Sequence, residues 1–424
     1  MSIEAFEAIK GSIRSFLGGA EVELGPAATA EGVEEGCIRK TITVEKKPYI
    51  FIAKRGSLPF TRAEEAFCGE LLVAFAAMYS GFRQEGYNAH FRTALIASMM
   101  DIAVARFLRG DRTKVFWPIQ QLIQLLKNLS YQKYEGRQAT TGFIVHRTTQ
   151  QNILQLLKDR HHDLWPLKPA QNITSEFFAN PLTYRYVDGS NLFFIVNIQM
   201  QVNGVVRVDN QSLASDIERF TQKEIFSIVN RAGEGAFAVT VNESGEIEIL
   251  TTPAKIMVRR KGGWGIFDKE IFKEFLAESM EPASQDDLIW TAYALSKSRH
   301  GTVILIHNGG KKQLTQLKKG SVGGDDPIVH LLINGVTGRT ITQLKQAGSL
   351  LRILSTDGMT VFNSKGKLLE TGFIIDTSHA REMVAGGGRT TAAYAASFFG
   401  KVIKVSQDGP IELYNQGKLV YRFG

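Results

Sequence analysis

Cysteine is nearly absent. Cys37 and Cys68 are the only two in 424 residues, which excludes a disulfide framework. Long apolar runs are missing too: the stretch from Leu71 to Met78 is stopped by Glu70 before it and Ser80-Gly81 after it, far short of the roughly 20 residues that cross a bilayer. No basic and apolar leader with a cleavage site is read at the start, where Ile3 to Lys10 has the pattern of an amphipathic helix. The expectation is a cytoplasmic globular protein without a membrane partner. Walker A, zinc spacing and an ordered serine or cysteine triad are also absent. Arg259-Arg260-Lys261-Gly262-Gly263-Trp264-Gly265 lacks the spacing of a dinucleotide fingerprint.

What is present is enough apolar material, 44% hydrophobic against 22% charged, for two or three domains with their own cores. From Thr61 to Arg109 and again from Val115 to Leu129, apolar residues recur at helical spacing. This predicts a mostly helical region over 1–165 whose helices pack as a bundle. After Pro166 and Pro169 the pattern becomes mixed. Strands are predicted at 192–198, 205–208, 236–241 and 246–250, with helices over 212–230 and 272–280. Residues 166–282 thus read as a small α+β domain, suited to sensing, and 283–424 as a further α/β domain. Three local clusters are read as ordinary structure: Asp159, His161, His162 and Asp163 as a solvated helix end, Tyr134 to Arg137 with Thr140 to Gly142 as an exposed connection between a helix and a strand, and Asp325-Asp326 as a turn.

The most informative residues lie near the end. Thr356-Asp357-Gly358-Met359 is a glycine-marked turn placing a carboxylate at a sheet edge, between an expected strand Leu351 to Leu354 and another at Thr360 to Asn363. Further on, Gly386-Gly387-Gly388-Arg389-Thr390-Thr391 precedes a strong helix-forming run, Ala392 to Ser397. Glycines there let backbone amides approach an anion at the positive end of the helix. A strand at 401–406, a turn at Gln407-Asp408-Gly409-Pro410 and a closing hairpin complete the pattern.

In order and spacing these residues resemble the diadenylate cyclase domain of DisA-type proteins, over about residues 283 to 424. Leu288 to Lys297 looks like the domain's opening helix, His300 to Ile306 like its first strand, Asp357-Gly358-Met359 like its aspartate-glycine-alanine motif, and Leu368 to Ile375 like the strand that follows. The resemblance implies an α/β fold whose C-terminal mixed sheet has flanking helices. It also implies condensation of two ATP molecules into cyclic di-AMP with release of pyrophosphate. Asp357 would be catalytic, holding a divalent metal, Mg²⁺ or Mn²⁺, with Gly358 and Arg389 beside it. Gly386, Gly387, Gly388, Arg389, Thr390, Thr391 and Ser406 would hold the triphosphate, and Gly372 and Phe373 would lie near adenine. Self-association, at least as a face-to-face dimer, is implied as well, because each domain presents one ATP.

Two departures stand out. The family's second motif usually reads Gly-Thr-Arg-His-Arg-Ala-Ala, and here Gly387-Gly388-Arg389-Thr390-Thr391-Ala392-Ala393 keeps one arginine and lacks the histidine and the second arginine. A threonine hydroxyl cannot replace a bidentate guanidinium on phosphate. Met359, in place of alanine, sets a long thioether beside the aspartate, which bears on the width of the pocket. Two functions therefore stay open: a cyclase under the control of the N-terminal region, or a catalytically inactive sensor that binds a nucleotide or cyclic dinucleotide. The net charge of +8 is scattered through short groups such as Lys46-Lys47 and Lys318-Lys319. With no long basic run and no appended helix-hairpin-helix, it is read as aiding solubility and attracting an anionic nucleotide rather than binding nucleic acid.

Overall fold

The computed structural model describes residues 2–27, 36–44, 46–81, 89–110, 115–147, 153, 163–208, 216–252, 255–322, 324, 326–378 and 387–424. The chain forms two compact units: Met1–Arg55, Pro59–Ser212 and Gln222–Asp268 in the first, and Lys269–Gly424 with Gly56–Leu58 and Leu213–Thr221 in the second. Among the described residues, no helix is long and apolar enough to cross a membrane.

In the first unit, helix α1 (Ser2–Phe16) precedes strands β1 (Glu21–Pro26), β2 (Ile38–Val44) and β3 (Lys47–Lys54), which pair antiparallel in the order β1-β3-β2. Helices α2 (Arg62–Gly81), α3 (Ala89–Arg109) and α4 (Trp117–Leu129) follow where the apolar spacing places them. Helix α4 shows why: Ile119, Leu122, Ile123, Leu126 and Leu129 fall on one face and are buried. The short pair β4 (Lys133–Tyr134) and β5 (Arg137–Gln138) then leads to β6 (Thr141–His146) and β7 (Asp163–Asn172). Helix α5 (Leu182–Tyr186), strands β8 (Leu192–Asn197) and β9 (Gln201–Arg207), and helix α6 (Lys223–Arg231) come next. Strands β10 (Phe237–Val241), β11 (Ile247–Thr251), β12 (Lys255–Arg260) and β13 (Gly263–Asp268) complete an eight-stranded sheet, ordered β13-β12-β11-β10-β6-β8-β9-β7.

That sheet corrects the expected division at residue 165. Strand β6, from the supposed helical region, pairs with β10 and β8 in the middle of the sheet. Pro166 and Pro169 lie in β7, the edge strand, where a missing amide costs no ladder bond. They mark an edge and not a linker. The helix expected over 212–230 is also two pieces, Asp216–Phe220 and α6, separated at Gln222, whose φ of 53° lies in the left-handed region.

The second unit is α/β with a mixed sheet. Helices α7 (Lys269–Leu276) and α8 (Pro282–Lys297) lead to β14 (Thr302–His307). After it come α9 (Lys311–Leu317), β15 (Lys318–Ser321), α10 (Pro327–Val336), α11 (Ile341–Gln346) and α12 (Leu350–Leu354). Strands β16 (Met359–Asn363) and β17 (Leu368–Ile375), helix α13 (Gly388–Ala396), and strands β18 (Gly400–Val405), β19 (Ile411–Asn415) and β20 (Lys418–Phe423) finish the chain. The strand order is β15-β17-β16-β14-β18-β19-β20. Only β14 and β16 run parallel, joined by a crossover through α9 to α12; the other neighbours are antiparallel. Helix α11 starts at a full capping box, Thr340 with Gln343.

Side chains on this sheet are sorted by strand alternation. Val303, Leu305, Met359, Val361, Phe373 and Val402 share a core with Ala393, Ala395 and Ala396 of α13 on one face. Ile304, Ile306 and Ile403 alternate with them and are equally buried, on the face where α8 packs against β18.

Candidate functional site

The site forms where the start of β16, the N-terminus of α13 and the end of β18 meet. Residues Leu351 to Leu354 form the short helix α12 and not the expected strand, so Asp357 and Gly358 lie in the loop between α12 and β16. Asp357 stands beyond the first residue of an interior strand and not at the sheet edge. Gly358 has φ of 87°, and a Cβ placed there would lie 2.7 Å from the carbonyl carbon of Gly372. The two glycines therefore touch back to back, and only glycine fits the turn that turns Asp357 outward.

Helix α13 begins after Gly387, which is extended with φ of −78° and ψ of 175°. Thr390 N and Thr391 N both donate to Gly387 O, at 2.8 and 3.2 Å. The amides of Gly388 and Arg389, at the first two helical positions, have no intrahelical acceptor. Arg389 reaches across, and its Nη2 lies 3.3 Å from Asp357 Oδ1. Its other side rests on Gly301, where a Cβ would come within 2.9 Å of Nη1. At the end of β18, Ser406 closes a tight turn, donating its amide to Pro410 O and accepting from Gly409 N, both at 2.9 Å. Ser296 Oγ donates to Gly409 O and Arg299 Nη1 to Asp408 O, holding this turn from the end of α8.

Together these residues line an open cleft of about 700 Å³. Asp357, Gly358, Gly387, Gly388, Arg389, Thr390 and Ser406 all face it. Gly386 lies outside the described residues. Thr391 is in the first turn of α13 but does not line the cleft. Phe373 is not a cleft residue either: it is 1% exposed in the core beneath α13. Gly372 sits behind Gly358, and its carbonyl accepts from Val322 N at 2.7 Å. Met359 is likewise buried in that core, so it does not narrow the cleft.

Lys404, Gln407 and Asp408 also line the cleft and were not expected there. Lys404 is the most unusual. Its Nζ donates to Thr390 Oγ1 at 2.8 Å and to Glu412 Oε2 at 2.7 Å. Tyr414 Oη donates to the same carboxylate oxygen at 2.9 Å. Burial, followed by the negative charge of Glu412, raises the Tyr414 pKa well above the ordinary phenol value. Strand register explains the grouping, because Arg422, Glu412, Lys404, Val303 and Met359 lie opposite one another across five adjacent strands. The signal available in the sequence was the second lysine of the segment Lys401-Val402-Ile403-Lys404-Val405, flanked by apolar residues and followed across the hairpin turn by Glu412.

The donor set can be tested against a divalent metal. Among the described residues, no three His, Cys, Asp or Glu side chains converge, so a cage built by the protein alone does not fit. Asp357 is 81% exposed at its side chain and has one neighbouring cation. A single accessible carboxylate beside an anion cradle fits Mg²⁺ or Mn²⁺ shared with substrate phosphates. Asp357 is the residue that would hold it.

No family model and no curated protein matches this chain. Among solved structures, the crystal structure of a hypothetical membrane spanning protein from Bacillus cereus is 17% identical, covering 37% of this chain and 70% of that one, with a TM-score of 0.27. Superposition at that level carries no argument about fold or function.

Proposed function

We propose that the second unit binds ATP and condenses two molecules into cyclic di-AMP, as a diadenylate cyclase. The observation that carries this is the meeting of Asp357 and Arg389, 3.3 Å apart, at the open N-terminus of α13. Two residues remote in sequence supply a carboxylate, a guanidinium and free amides to one cleft. That is a donor set for a polyphosphate and its cation.

In the proposed reaction, the 3′-hydroxyl oxygen of one ATP bonds to the α-phosphorus of the other. The bond to pyrophosphate breaks, and the hydroxyl proton passes to solvent. Repetition at the second pair of groups closes the ring. A bound Mg²⁺ or Mn²⁺ supplies charge neutralisation at the phosphates. The chain's own contribution is positioning: the amides of Gly388 and Arg389 bind phosphate oxygens, Arg389 spreads charge over them, and Ser406 closes the opposite wall. Two such clefts must face each other, so the active species is at least a dimer.

A second reading is a sensor that binds a nucleotide without turning it over. It is favoured by the absence of Thr391 from the cleft lining and by the engagement of Thr390 with Lys404. The two readings separate on incubating the full chain with ATP and Mn²⁺ or Mg²⁺ and identifying products by mass spectrometry. The cyclase predicts cyclic di-AMP from the wild type and a loss of at least about 100-fold in Asp357→Asn, with ATP affinity changed little. Undiminished product from Asp357→Asn would remove that residue from the chemistry. Binding without product would favour the sensor.

A further inference from the structure

We propose that Lys404 grips the polyphosphate chain in the cleft, supplying the positive charge that Thr390 and Thr391 cannot; this rests on the nucleotide-binding assignment above. Its side chain is only 9% exposed, yet it forms part of the cleft wall. An ammonium has three N–H donors. Two are directed to Thr390 Oγ1 and Glu412 Oε2, and the third is available to a ligand in the cleft.

A purely structural lysine would serve to neutralise Glu412. However, that carboxylate also has the Tyr414 hydroxyl at 2.9 Å and the Arg422 guanidinium at 3.7 Å. Two cations thus face one carboxylate, and this row of the sheet carries an excess positive charge directly behind the first turn of α13. Placing an ammonium on the buried face that Lys404 shares with Val303 and Val402 carries a desolvation cost. The cost is reduced when a phosphate completes its hydrogen bonding. Thr390 joins the two parts of the cradle, since its hydroxyl accepts from Lys404 while its own residue belongs to the α13 turn that presents the free amides.

The test is calorimetric titration of the full chain with inorganic triphosphate, ATP and adenosine at low salt. Lys404→Met should weaken triphosphate and ATP by about 10- to 100-fold, the range for one charge-assisted hydrogen bond, and leave adenosine unchanged. Because Lys404→Met leaves Glu412 with only the Tyr414 hydroxyl and the more distant Arg422, the double variant Lys404→Met with Glu412→Gln removes both charges together and should show the same loss with a wild-type melting profile. Glu412→Gln alone removes the competing negative charge and should tighten triphosphate binding about 3- to 10-fold, a gain that is absent when Lys404 is replaced as well. A folded double variant that binds ATP within twofold of wild type would overturn the role of Lys404 and leave the nucleotide assignment standing. Wild-type binding of triphosphate, lost in the variants, without binding of ATP would keep Lys404 as the anion contact and overturn the nucleotide assignment. Binding of neither would overturn both.

Discussion

Replacing Gly358 by alanine tests the geometry of the Asp357 turn directly. At φ of 87° an L-residue meets its own carbonyl, which costs about 1–2 kcal/mol. The added Cβ would also lie 2.7 Å from the carbonyl carbon, 2.9 Å from the Cα and 3.0 Å from the oxygen of Gly372. Those are backbone atoms, and Gly372 is held by its hydrogen bond from Val322 N at 2.7 Å, so it cannot withdraw without losing that bond. Overpacking of this kind adds about 1–3 kcal/mol. The combined penalty of about 2–5 kcal/mol corresponds to a fall of about 4–20 °C in the melting temperature of a unit this size. Gly387→Ala is the matched control. Its φ is −78°, and a Cβ there meets nothing within 4 Å, so the loss should stay below about 1 kcal/mol, the N-cap preference for glycine over alanine. Differential scanning calorimetry of the two variants gives the comparison. Equal melting temperatures for Gly358→Ala and wild type would show that the turn does not have this conformation.

Two further outcomes concern the first unit. Burial, with Glu64 nearby, pushes the Cys68 thiol from 9.0 up to about 12, so at pH 8 iodoacetamide should label Cys37 well before Cys68, as read by peptide mass spectrometry with and without denaturant. Between pH 9 and 12 the unfolded chain releases that proton while the folded chain keeps it, so this group makes stability fall as pH rises, and a urea midpoint that climbs across that interval in wild type relative to Cys68→Ala would contradict the burial. Asp101, 3% exposed, accepts from Trp264 Nε1 at 2.8 Å, Lys127 Nζ at 2.7 Å and Gln124 Nε2 at 3.2 Å, so Asp101→Ala should cost about 3–5 kcal/mol in urea unfolding by stranding these donors.

Much of the second unit was legible because its turns are chemically marked. Glycines at 358, 366, 409 and 417 have positive φ and separate apolar runs of strand length, so β16 to β20 could be placed from sequence. Leu351 to Leu354, expected as a strand, could not, because a segment this short has no periodicity that separates helix from strand. The first unit was less legible. Strands β1 to β3 lie in a stretch that reads as mostly helical, and the prolines of β7 read as a boundary because an edge strand and a linker tolerate proline equally well. In the site, the Asp357 turn and the start of α13 follow from local sequence. Lys404 does not, since its position depends on register between β18 and β19, fixed only when the hairpin pairs Lys404 with Glu412.

The two ion pairs of the cleft differ in a way that sets their roles. Arg389 and Asp357 are 38% and 81% exposed at 3.3 Å, and a pair this open to water is worth at most about 1 kcal/mol. An incoming phosphate can therefore take Arg389, and its cation can take Asp357, at little cost, and the pairing holds both groups near the cradle until then. Lys404 and Glu412 are 9% and 8% exposed at 2.7 Å. Separating them would leave a charge stranded in low dielectric, so this pair stays intact and any ligand must add to it. A polyphosphate entering the cleft would thus exchange partners with the exposed pair at the mouth and add a hydrogen bond from the buried pair behind Thr390. If binding follows that order, raising ionic strength should weaken the contribution of Arg389 more steeply than that of Lys404, because salt screens exposed charges far more than buried ones.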